Sequence, residues 1–115
     1  MEKFMYLFRG GMSPEQMGSP EAMQAHMQKW MQWMEGLGKK GILVGGEPLQ
    51  GTGKQVNGKK KVVTDGPFAE AKEMVGGYLI VNAKDINEAV EISKDCPALE
   101  IEGHVEVRPV QKMEM

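Results

Sequence analysis

The sequence has 115 residues, 41% of them apolar and 26% charged, with a net charge of −2. That length fits a single domain of common size, and residues 1–115 read as one unit without linker, repeat or low-complexity tract. The negative balance excludes the basic footprint of a nucleic-acid or anionic-membrane binder, and no apolar run reaches membrane-spanning length. Cys96 is the single cysteine and has no internal disulfide partner. With no leader pattern after Met1-Glu2-Lys3, the expected setting is the cytoplasm.

In residues 3–9, Phe4, Tyr6 and Phe8 alternate with Met5 and Leu7. The pattern predicts a central strand that is apolar on both faces. Ser19-Pro20 is a helix start, a hydroxyl cap before a proline that has no N–H to leave unpaired. Met23, Met27, Trp30, Met34 and Leu37 then recur at helical spacing and predict the inner stripe, with His26 and Trp33 on its flanks. Ile42-Leu43-Val44 reads as a second strand that Gly45-Gly46-Glu47-Pro48 closes, the proline marking an edge or a strand end.

Asn57-Gly58 predicts a two-residue hairpin over residues 54–64, with Lys59, Lys60 and Lys61 as a solvated tip. Asp65-Gly66-Pro67-Phe68 reads as a turn that delivers an acid and an aromatic ring. Residues 75–81 form the most apolar strand, with a bulge or a close approach by another group expected at Gly76-Gly77. Asp85 and Glu88 open a second helix, whose predicted inner face is Ile86, Ala89, Val90 and Ser93. In the last strand, residues 104–110, Val105 and Val107 face one way and His104, Glu106 and Arg108 the other.

The order β-α-β, hairpin, β-α-β predicts an α+β ferredoxin-like sandwich, an antiparallel sheet with two helices on one face. The other face keeps apolar side chains and no helix, so a homodimer joined through the open sheet face is expected. Asp65 is either a general base or the cap of its own turn, two compatible roles. Tyr78, Phe8 and Trp30 either wall a pocket for a small apolar or aromatic ligand or pack in the core. Arg108 either pairs with Glu106 or holds an anionic ligand. Two histidines and one cysteine match no metal-ligand spacing, and no cofactor is expected.

The set Val63-Thr64-Asp65-Gly66-Pro67-Phe68-Ala69-Glu70, Lys72-Glu73, Gly76-Gly77-Tyr78 and Glu106-Val107-Arg108-Pro109-Val110 resembles the YCII-related proteins of the DGPF subgroup. That resemblance implies a ferredoxin-like fold assembled as a dimeric α/β barrel in a bacterial protein of largely unestablished role. It also implies a pocket where a His meets an Asp, which makes His26 and Asp65 the candidate acid–base pair, with Phe68, Tyr78, Trp30 and Arg108 as candidate ligand contacts. Two functions follow: a small-molecule-binding dimer with acid–base activity, or a non-catalytic regulatory or protein-interaction dimer.

Overall fold

The alternation in the first strand sorts its side chains onto two sheet faces. In the computed structural model, which describes residues 1–13, 15–66 and 74–113, β1 spans Glu2–Gly10. Phe4, Tyr6 and Phe8 are buried beneath the helices, while Met5 and Leu7 are half-buried on the opposite face. β1 lies between β5 (Val75–Ala83) and β6 (Gly103–Pro109), and β2 (Leu43–Pro48) borders β5. The four strands run antiparallel in the order β2-β5-β1-β6, so the proline-containing strand is an edge, as its composition predicts. The β1–β5 register shifts opposite Gly76, where the glycine pair predicts a bulge.

β2 continues through its glycines instead of ending at them. A Cβ on Gly46 would lie 2.3 Å from the Tyr78 carbonyl oxygen and 2.8 Å from Leu79 Cα. Glycine here permits close approach to β5 and is not a strand terminator.

Helix α1, Pro20–Lys39, starts where predicted: Ser19 Oγ accepts the Ala22 N–H at 3.1 Å. Its inner face is rotated from the expected stripe. Trp30, Trp33, Met34 and Leu37 pack against the core, His26 is half-buried, and Met27 is 56% exposed. Two indoles carry far more apolar area than a methionine, so the rings set the rotation. Helix α2, Ile86–Ser93, is capped by Asp85, which accepts the Glu88 N–H at 2.9 Å, while Glu88 reaches back to the Lys84 N–H at 3.1 Å.

The expected inner face of α2 is corrected in the same way. Ala89 and Ser93 are buried, but Ile86 and Val90 are exposed. Tyr6 donates its hydroxyl to the Ala89 carbonyl, which draws the helix close to the sheet and leaves room beneath it for small side chains. Because Tyr6 also stacks on Trp33 of α1, both helices cover one face of the sheet. A 3₁₀ turn, Pro97–Ile101, leads from α2 toward β6. No described helix is long and apolar enough to cross a membrane.

β3 (Gly53–Asn57) and β4 (Val62–Gly66) form a separate two-stranded ribbon. Its last pair is Asn57 with Val62, so the loop holds four residues where the sequence predicts two. A turn confined to Asn57-Gly58 would set Val56 opposite Lys59; the longer loop sets it opposite Val63, a better β-branched pair. Asp65 and Gly66 belong to β4, paired with Lys54 and Gly53, and not to a turn as their composition predicts. Pro67 and Phe68 lie outside the described residues.

Candidate functional site

Aromatic residues from α1 and β1 interlock on the helix side of the sheet. Phe8 and Trp30 meet edge to face at 4.9 Å, Trp30 lies 5.7 Å from Trp33, and Trp33 stacks on Tyr6 at 6.3 Å. One turn before Trp30, His26 closes this row. Trp30 Nε1–H donates to His26 Nε2 at 2.9 Å.

That bond fixes the chemistry of the imidazole. An indole nitrogen only donates, so the accepting Nε2 carries no proton and the neutral ring holds its proton on Nδ1. Burial lowers the His26 pKa below 6.5; Glu100 pulls it back up and Lys29 pushes it further down. The group left for a ligand is therefore Nδ1–H, a hydrogen-bond donor. Accepting a proton would require Nε2 to give up Trp30.

Asp65 sits elsewhere, on the ribbon. Its Oδ1 pairs with Lys54 Nζ at 2.7 Å, and its side chain is 83% exposed. Asp65 and Lys54 border a shallow recess at the ribbon's root, with Gly51, Thr52 and Gly66. Among the described residues no hydrogen bond joins Asp65 to His26.

The remaining candidates lie on the open sheet face. Tyr78 is half-buried between Leu7 of β1 and Glu47 of β2. Glu106 bonds Arg9 Nε at 3.1 Å and lies 3.8 Å from Arg108 Nε, so the pair expected at Arg108 is a three-residue cluster. His104 is exposed on the same face, opposite Arg9. The sheet thus stands between His26 and Trp30 on one side and Tyr78 and Arg108 on the other. Phe68 lies outside the described residues.

Arg9, Trp33 and Lys54 are not among the site residues that the sequence predicts. Weighing ring size over helical spacing would have found Trp33. Arg9 and Lys54 acquire meaning only from register, which places them opposite β6 and Asp65.

Two buried groups have strongly shifted ionisation. Burial pushes the Tyr6 phenol up to about 12, with Cys96 adding to the rise. Burial pushes the Cys96 thiol up to about 11, partly offset by the N–H groups of Ala98 and Leu99. Cys96 is thus a packed thiol and not a poised nucleophile. Among the described residues no three His, Cys, Asp or Glu side chains gather to hold a metal ion.

The family profile of the YCII-related domain matches residues 5–114. The chain belongs to the YCII-related family. This YCII-related protein is 38% identical over 50 residues to an uncharacterised protein of Rhizobium meliloti (strain 1021), a match spanning 43% of this chain and 40% of the relative's length. Among solved structures it is similar to 5-chloro-2-hydroxyhydroquinone dehydrochlorinase from Burkholderia phenoliruptrix AC1100, in complex with 2,5-dihydroxybenzoquinone. That similarity is 16% in sequence, covers 95% of this chain and 93% of the other, and has a TM-score of 0.48.

Proposed function

We propose that this YCII-related protein is a small-molecule-binding homodimer in which His26 and Asp65, once ligand binding frees them from Trp30 and Lys54, serve as an acid–base pair. The observation that carries this reading is the Trp30–His26 hydrogen bond, which holds a neutral imidazole in one tautomer at the end of an aromatic row. A half-buried donor beside apolar rings suits a small aromatic or apolar ligand that bears an acceptor oxygen. Trp30 supplies a ring wall, with Phe68 a further ligand contact. Tyr78 and Arg108 belong to the face that a second copy covers.

The assembly we infer is a ferredoxin-like dimeric α/β barrel, one domain over residues 1–115, in the DGPF subgroup marked by Asp65-Gly66-Pro67-Phe68. Met5, Leu7, Tyr78 and Ile80 support it, since they form a half-buried apolar centre on a face that no described helix covers. Several hundred Å2 buried there contribute on the order of 10 kcal/mol gross, against association costs of similar order. A buried free thiol at Cys96 suits a cytoplasmic setting.

A thermal-shift screen of small metabolites tests the reading, run on wild type, His26→Ala and Asp65→Asn. A ligand at 100 times its Kd stabilises by about 2.7 kcal/mol, a shift of several degrees for a chain of this size. We expect a ligand whose shift is lost in His26→Ala and reduced in Asp65→Asn. A ligand whose shift ignores both substitutions removes both residues from the site.

A second reading, a non-catalytic regulatory or protein-interaction dimer, is favoured by the Lys54–Asp65 pair, which occupies the acid on an exposed ribbon. The same screen separates the two: under this second reading no small ligand stabilises the protein through His26.

A further inference from the structure

Among the described residues, no third strand or covering layer supports the β3–β4 ribbon. Every residue of β3 is exposed, and in β4 only Thr64 and Gly66 are partly covered. Val56, Val62 and Val63 are 66%, 53% and 57% exposed. An isolated hairpin is marginal in water unless a further strand or layer supports it. The molecule as a whole is also extended. The radius of gyration is 15.9 Å, where a compact chain of this length would have about 13 Å.

Charge indicates what supports it. Lys54, Lys59, Lys60 and Lys61 against Asp65 give residues 53–66 a net charge of +3. The whole chain carries −2, so the remainder carries −5. An acidic body with a basic extension is complementary to itself.

We propose that the β3–β4 ribbon is an arm that docks on the acidic body of a second copy of this chain. Val56 and Val63 sit opposite one another on one ribbon face, beside the Lys54–Asp65 pair, and form the apolar centre of the contact. The lysines at the tip form its charged rim. Two-fold symmetry repeats the contact, each arm lying on the other body. Tip-to-tip pairing of two arms would oppose +3 with +3, and the same repulsion disfavours strand pairing between them. The proposal rests on the dimer reading above but is separable from it, because a sheet-to-sheet dimer forms with or without docked arms.

Photo-cross-linking tests it. Lys60→Cys is labelled with a maleimide photo-cross-linker, which the buried Cys96 does not compete for, and labelled 14N chains are mixed with unlabelled 15N chains. Sedimentation measures dimer affinity in parallel for wild type and for the triple variant Lys59→Glu, Lys60→Glu, Lys61→Glu. We expect 14N-to-15N cross-links into acidic peptides outside the arm, and a dimer weakened at least about tenfold in the triple variant at low salt. Cross-links confined to one chain or joining arm to arm, in a dimer of unchanged affinity, overturn the arm and leave the sheet-to-sheet dimer standing. A wild type that is monomeric at micromolar concentration overturns both.

Discussion

Trp30 donates its indole N–H to His26 Nε2 at 2.9 Å across one turn of α1. Because the indole cannot accept, this bond exists only while the imidazole is neutral at that nitrogen. The His26 C–H resonances, followed by NMR against pH, should therefore have a midpoint below 6.5, and Trp30→Phe should move it upward. A histidine depressed in the folded state stabilises the fold fully above the unfolded value of 6.5 and loses that contribution as pH falls through the folded pKa. A wild-type midpoint at or above 6.5 contradicts the tautomer assignment.

Tyr6 ties β1 to α2 through the Ala89 carbonyl. Tyr6→Phe removes that buried hydrogen bond, while the Ala89 carbonyl keeps its place in the helix, and should cost about 0.5–1.5 kcal/mol in urea unfolding, with the m-value unchanged. Its phenol, raised from 10.0 to about 12, contributes stability that is whole below 10 and lost as pH rises through about 12. The alkaline loss should shrink in Tyr6→Phe.

Gly46 lets the edge strand lie close to β5. Gly46→Ala puts a methyl into the Tyr78 carbonyl, whose backbone has no side-chain freedom with which to yield. Denaturant unfolding should register a loss of about 1–3 kcal/mol. Gly38→Ala, where an added Cβ meets open space, is the control and should not destabilise.

How far the sequence carries is clearest from these residues. Strand alternation in Phe4–Phe8, the Ser19 and Asp85 caps, the Gly76 bulge and the edge proline are local signals, and each element formed where its signal lay. What failed depends on contacts between elements. Spacing predicts the helical stripe, yet two indoles and a Tyr6–Ala89 bond decide which side of each helix turns inward. Asp-Gly composition signals a turn, but strand pairing with Lys54 and Gly53 outweighs it. The separation of Tyr78 from Trp30 by the sheet has no local signature, because it depends on strand parity and on which face receives the helices.

Cys96 is 2% exposed, and its thiol is held near 11 by burial. Native protein should resist a thiol reagent such as Ellman's at pH 8, and unfolded protein should react at once. Fast reaction of the native state would show that the corner between α2 and the 3₁₀ turn opens far below the cost of global unfolding.

In the proposed dimer a second copy covers the open sheet face. Sedimentation equilibrium on wild type, Leu7→Glu and Ile80→Glu tests it most directly. Wild type should sediment at twice the 12.7 kDa chain mass at micromolar concentration, and both variants at the single chain mass. A wild type at 12.7 kDa, or charged variants that dimerise as well as wild type, would contradict it.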